Sequence, residues 1–466
     1  MKKEMLKRLT PLFFLLAIPL AAWGYDALNN PQALDISLDS YTAHVRGKQL
    51  PAECTPDNAL ADAQTLVETL ERVHPMFAPD APGGFDERPP EGYDAAKQNF
   101  LRAAGDFEGD WDGFCLLAQE YLNTLNDGHT GVMYSRELFD LKGLLQVRWQ
   151  YDSGKLWLVG PDGASTGSWV SEIGGVPVEE VFAVIDRYFA AENEPSRAQN
   201  YTECAQLDTV LRMAGVESWN LTVCDADGSE RQEACSLGNR NLVARAPLPT
   251  GLYAERMGDV LYLHFDTFAP STEKQREALD AMLADLNAFL DEGGQKVVMD
   301  VRGNGGGSDM EWAPFWQAMG FDLEGRYYSI SWQRQSPELS EREEWMGMEN
   351  VNEQFVELMQ NPRKDRSCAL AVLCDANTFS AAQNLCCAAA MQEGAVLIGS
   401  PSKNAPECYT DIVRVCLPQS RLMVQISTAH RIPYDPDARR DILEPDIAVP
   451  WGGDALQAAL EYFAQT

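Results

Sequence analysis

The stretch "KVVMDVRGNGGGSD", residues 296–309, runs from an apolar strand pattern directly into three successive glycines and an acidic turn. Glycine at a strand end weakens packing and raises the entropy of the unfolded chain. Its usual reason is a sharp turn, or a backbone that must come close to something. The flanks give this stretch a context. Upstream, "VLYLHFDTF" (260–268) reads as a second buried strand. Thr272 with Gln275 forms a capping box for a helix that turns Leu279, Met282, Leu283, Leu286 and Leu290 inward. Downstream, "CALAVLC" (368–374) and "AVLIGS" (395–400) are strands on either side of an Ala-rich helix that follows "DANTFS". A helix is also expected near "MEWAPFWQAM". Strands alternating with helices predict an α/β layered domain with its chemistry at the strand ends.

Outward from this region the pattern changes. Between about 144 and 245 the chain has short strands, "LLQVRW", "KLWLVG" and "WNLTVC", and a helix with Val178, Val181, Phe182, Ile185 and Phe189 inward; this is a compact β-rich module. Before it, Leu66, Val67, Leu70 and Val73 recur at helical spacing. A second amphipathic helix from Trp111 stops at "NDGHTGV". The stretch to about Thr55 has no clear period and reads as a tether. The N-terminus "MKKEMLKRLTPLFFLLAIPLAAWGYDA" has a basic start, an apolar run and small residues, the pattern of an export signal. Cleavage after Gly24 would release a chain from Tyr25; a single uncleaved N-terminal membrane anchor is the alternative.

The 466 residues require more than one core, and 45% hydrophobic content can supply them. A net charge of −33 repels phosphate backbones and anionic headgroups, so nucleic acid is excluded as a partner and an acidic, solvated surface is expected. Export would make the eleven cysteines candidates for disulfides. Cys224 with Cys235, and Cys408 with Cys416, are spaced to face each other across hairpins. The five histidines are scattered and there is no CxxC pair, so no metal site is expected.

Three turns carry chemistry. Ser380 stands after a strand and at the start of a helix, where free N–H groups and the helix dipole favour a developing negative charge. Spacing alone reads it first as a helix cap, because serine is a preferred capping residue. The glycines after Arg302 offer N–H groups unobstructed by side chains, as an oxyanion needs. They lack the lysine of a P-loop and the spacing of a dinucleotide fingerprint. His129, in a polar turn after Asp127-Gly128, can titrate near neutrality and serve as a base, although a lone histidine is more often a packing or surface residue.

Taken together, "VVMDVRGNGGG", "VLCDANTFSAAQ", "LNDGHTGV" and "ILEPDIAVP" resemble, in the same order, the oxyanion strand, nucleophile turn, histidine turn and closing segment of the tail-specific and tricorn-core family of serine peptidases. "SEIGGVPVEEV" onward resembles that family's PDZ-like peptide-binding domain. The resemblance implies an α/β fold with a crotonase/Clp-protease-like core of β-β-α units, an N-terminal helical domain and a β-rich PDZ-like domain. The corresponding division is a signal or anchor at 1–24, a tether at 25–56, the helical domain at 57–140, the PDZ-like domain at 141–245 and the peptidase core at 246–466. It implies a peptide or protein substrate, no cofactor, Ser380 as nucleophile, and an oxyanion hole from the Gly305 or Gly306 amide with that of Ala381. One branch of the family uses a lysine base; here Lys403 is out of register and Ala405 stands where that lysine would fall, which favours His129. The family's supporting acid has no clean counterpart, and Asp435, Asp437, Asp441 and Glu444 are the candidates. A non-catalytic binder of a peptide or an apolar ligand on the same fold is the rival reading.

Overall fold

In the computed structural model, the residues described run from 38 to 465 apart from 80, 82–84, 86–87, 134–142, 162, 240–247, 322–328, 347–361, 364, 434–438 and 450–452. The strand read from the glycine stretch, Lys296–Asp300, is central to a six-stranded sheet. Its order is Leu252–Met257, Val260–Phe265, Lys296–Asp300, Ala369–Cys374, Ala395–Gly399 and Ile447–Ala448. The first pair is antiparallel and the remaining neighbours are parallel. Parallel strands must be covered on both faces, which explains their near-continuous apolar runs. One face packs on the helices Glu273–Asp291, Ala313–Ala318 and Ala381–Met391, and the other packs on the C-terminal helix Ala455–Gln465. The capping box forms as the sequence requires: Thr272 accepts from the Gln275 N–H while the Gln275 side chain accepts from the Thr272 N–H.

A second sheet was not anticipated. Cys408–Cys416 and Met423–Pro433 form a long hairpin, and Met423–Pro433 also pairs with Ser329–Gln333 and, near its start, with Gly131–Val132 just after the histidine turn. The helices Pro56–Val73, Tyr93–Gly105 and Trp111–Asn123 pack on this sheet, sharing one core with Val413, Leu417, Val424 and Ile426. The N-terminal helices and the distant hairpin are therefore one packing unit, although about three hundred residues separate them. Within the stretch read as a tether, Leu38–Arg46 is helical and Thr42 accepts a hydrogen bond from Arg414.

The middle module is an antiparallel sheet ordered Trp149–Asp152, Lys155–Val159, Ser165–Ile173, Asn220–Cys224 and Glu230–Ala234. The helices Val178–Tyr188, Glu194–Cys204 and Asp208–Met213 pack against it. The latter two lacked a readable apolar period, and their helicity comes from this packing.

The hairpin disulfides are corrected by the register. Cys408 and Cys416 are the two ends of a single strand, about 26 Å apart at an ordinary rise. Cys224 is opposite Glu230, while the Cys235 N–H bonds to the Trp219 carbonyl at the far end of the same hairpin. None of the eleven cysteines is joined in a disulfide. Peptide mapping of the protein denatured without reductant is expected to find neither a Cys224–Cys235 nor a Cys408–Cys416 link, and recovery of either would contradict the register.

Candidate active site

Neighbouring parallel strands deliver two of the three turns to one place. Asp300 and Leu373 are register partners, so the loops that follow both strands leave the same sheet edge side by side. The buried Asp375 carboxylate joins them, with Oδ1 accepting the N–H groups of Gly303 (3.0 Å), Asn377 (2.9 Å) and Thr378 (3.1 Å). Thr378 donates its hydroxyl to the Val301 carbonyl at 3.0 Å, and the Phe379 N–H donates to the Asn304 carbonyl at 2.9 Å. Below the glycines, Arg302 holds the buried Asp300, which also accepts from Tyr262. Burial raises the Asp300 pKa, and these partners more than offset it, holding the carboxyl below its ordinary range.

Ser380 has φ 54° and ψ −122°, a combination that L-residues rarely adopt and that costs on the order of 1–3 kcal/mol. It occupies the N-cap position of Ala381–Met391, yet its side chain makes no capping hydrogen bond. The cap reading therefore fails in the structure and the hydroxyl is left for another use. Ala381 opens the helix, where backbone N–H groups have no partner in the preceding turn.

The two candidate glycines differ. The Gly306 N–H donates to Asn304 Oδ1 at 2.8 Å and its carbonyl accepts from Phe268, so this amide is already committed. Among the described residues Gly305 has no hydrogen-bond acceptor for its N–H, and a Cβ placed there would meet open space. Gly306 is instead required for closeness: at φ 100°, a Cβ would lie 2.6 Å from Ser380 Cβ and 2.8 Å from the Phe379 carbonyl oxygen. The glycine run thus divides its work between an exposed amide and a close approach to the serine.

The histidine turn arrives from the other packing unit. Asp127, fully buried, accepts the His129 N–H at 2.9 Å, His74 at 3.1 Å and the Ser427 hydroxyl at 2.7 Å. Burial raises the Asp127 pKa, but His74, His129 and Ser427 outweigh this and hold it below the ordinary value. The His129 ring lies on Phe379, the residue before Ser380, with centroids 4.5 Å apart. Among the described residues neither ring nitrogen makes a regular hydrogen bond, to Ser380 included, although the Tyr409 backbone is near enough to favour the protonated ring. Burial pushes the His129 pKa down to about 4; the Asp127 charge opposes this and Arg431 adds to it. The base candidate is thus neutral at pH 7.

The carboxylate beside His129 is one that sequence reading missed. Glu192 lies between the helices Val178–Tyr188 and Glu194–Cys204 of the middle module, with Oε1 3.9 Å from His129 Nδ1. It accepts from the N–H of Gly128 (3.0 Å), from Asn404 Nδ2 (2.7 Å) and from the N–H of Ala405 (3.0 Å). Asn404 in turn accepts the Ser380 N–H at 2.8 Å. Burial and the Asp127 charge push the Glu192 pKa up to about 7 against these donors. Asp127, His129 and Glu192 offer ligand atoms within 4.8 Å of one another, the one such group among the described residues, but both carboxylates are already occupied by hydrogen-bond donors. "AAENEP" carries no local signal for Glu192, whose partners are 63 to 213 positions away.

Of the sequence candidates for the acid, Asp441 and Glu444 are exposed and both hold Arg439, while Asp435 and Asp437 lie outside the described residues. Lys403 Nζ is 3.4 Å from Asn377 Oδ1 and 5.7 Å from the centre of the Phe379 ring.

Comparison with known proteins bears on the family and the fold. Residues 259–449 match the model of peptidase family S41. The chain therefore carries a serine-type peptidase domain of family S41. Its fold resembles mature CPAF, with a TM-score of 0.54 and 14% identity over 88% of this chain and 95% of that one, and CPAF complexed with lactacystin, with a TM-score of 0.53 at the same identity over 88% and 97%. A putative peptidase from Parabacteroides merdae aligns with a TM-score of 0.42 and 13% identity, over 88% and 96%. No curated protein matches the sequence significantly.

Two expectations follow. Gly306→Ala should lower the rate of peptide hydrolysis by about a hundredfold or more, because its methyl displaces Ser380. Gly305→Ala, which keeps the N–H, should stay within about tenfold of wild type. Steady-state kinetics of the two variants check this, and equal losses would contradict the division of labour. The second concerns acid stability. The folded pKa of His129 is depressed, so its contribution to stability is fully present above about pH 6.5 and is lost as pH falls toward 4. Thermal unfolding of His129→Gln should therefore gain on wild type across that window, by up to about 3 kcal/mol; a constant difference would contradict the assignment.

Proposed function

We propose that the chain is an exported serine peptidase in which Ser380 attacks a peptide carbonyl and His129 acts as the general base. The observation that carries this reading is the Ser380 hydroxyl, which stands at a helix N-terminus on a strained backbone and does not cap the helix. Strain of this kind persists where the surrounding structure holds a residue for a purpose. His129, neutral at pH 7, takes the hydroxyl proton as the Oγ–C bond forms. The N–H groups of Gly305 and Ala381 receive the charge that develops on the carbonyl oxygen. His129 then gives the proton to the leaving amine, and water reverses the sequence to free the acid product.

The middle module is proposed to be PDZ-like and to receive the peptide. The six-stranded core is proposed to be of the crotonase/Clp-protease kind with the domain limits given above. Export rests on residues 1–24, which lie outside the described part; among the described residues no helix is long and apolar enough to cross a membrane.

The same features tell this reading from a non-catalytic binder. Ser380→Ala should fold with an unchanged melting temperature or a slightly higher one, lose peptidase activity, and no longer be labelled by a serine-directed phosphonate that labels wild type at Ser380. His129→Ala should lose at least about a hundredfold in rate, the low end of general-base contributions, while Lys403→Ala changes it little. Labelling of a different serine, or a dead Lys403→Ala beside an active His129→Ala, would replace this mechanism.

A further inference from the structure

The histidine turn and the turn bearing Ser380 are linked through one side chain as well as through the His129–Phe379 contact. Glu192 accepts from Gly128 in the histidine turn and from Asn404 and Ala405 in the segment after Ala395–Gly399, and Asn404 fixes the N–H of Ser380. Its side chain is 7% exposed, as is that of His129. A Cβ on Gly128 would come within 2.9 Å of Glu192 Oε1 and 3.1 Å of the Phe379 ring, so this glycine keeps the carboxylate and the ring close together. The N–H of Ala405, at the position where the lysine branch of the family would place its base, is spent on Glu192.

On the reading that His129 is the base, we propose that Glu192, supplied by the middle module, is the positioning residue that holds the imidazole with Nδ1–H toward its carboxylate and Nε2 free for the serine. The 3.9 Å between Oε1 and Nδ1 is a gap that shortens by about 1 Å into a charge-assisted hydrogen bond as His129 gains positive charge in the transition state. No other side-chain carboxylate among the described residues is within salt-bridge distance of the ring. Asp127 serves the His129 backbone instead. The competing acceptor is the Tyr409 carbonyl, which also favours a protonated ring and would select the other tautomer if it held Nε2–H. The base would then be oriented only when the middle module is docked, so whatever displaces that module also disarms the serine.

The test is a double-mutant cycle on the full-length protein. Glu192→Gln should lower kcat at least tenfold with KM changed less than about threefold; in the better-known triads, loss of the orienting carboxylate costs on the order of ten-thousandfold. In a His129→Ala background the same substitution should cost less than about threefold, because the residue it acts through is gone. Equal losses in both backgrounds, or none in the first, would overturn the proposal. Failure of the premise is separable: it would appear as an active His129→Ala single variant. Nitrogen NMR of the five histidines in Ser380→Ala protein, with His129 assigned by its absence in His129→Gln, needs no change at Glu192. It should show the Nδ1–H tautomer, and a dominant Nε2–H tautomer would overturn the proposal even if Glu192→Gln does not fold.

Discussion

Three backbone N–H groups converge on one oxygen of Asp375, and that convergence ties the glycine turn to the turn bearing Ser380. The two loops leave adjacent parallel strands, so they begin within about 5 Å of each other. Strand pairing alone would leave them free to splay. With Asp375 and the Asn304 carbonyl in place, Ser380 has little choice of backbone conformation, and its strained φ and ψ follow from bonds made by its neighbours. Gly306 completes the constraint from the opposite side, since only a residue without a side chain can lie against Ser380 there.

The histidine turn obeys a different constraint. Its core is shared with the hairpin Cys408–Cys416 and Met423–Pro433, and Gly131–Val132 joins that hairpin's sheet directly. Asp127 anchors the turn through His74 and Ser427, which come from the N-terminal helices and the hairpin respectively. His129 is thus carried on one packing unit and Ser380 on another. Their meeting depends on how the units dock, with Phe379 against the His129 ring as the apolar part of that contact and Glu192 as the polar part.

Burial explains the electrostatics of the junction. Enclosed among ring and backbone atoms, His129 loses its affinity for a proton while Glu192 gains affinity for one, and Asp127 supplies a fixed negative charge to both. On the proposed mechanism, a base that is neutral and poorly solvated at rest gains most from a carboxylate that becomes a full partner only when charge appears on the ring.

Local signals in the sequence determined much of this protein. The apolar runs of the parallel strands, the Thr272–Gln275 capping box and the glycines after Arg302 each act within a few residues, and each forms as read. The turns bearing Ser380 and His129 were legible for the same reason. The Asx-type chemistry of Asp375 with Asn377 and Thr378 is equally local and could have been read from "DANTFS". Only the tertiary structure decided the rest. The four-stranded sheet, the absence of hairpin disulfides and the commitment of the Gly306 amide depend on register between distant segments. Glu192 is the clearest case: its contacts are with two segments distant from it and from each other, and a carboxylate between two helices reads, by itself, as solvated surface. Periodicity encodes which face of an element is buried, but the identity of the atoms it is buried against is set by packing.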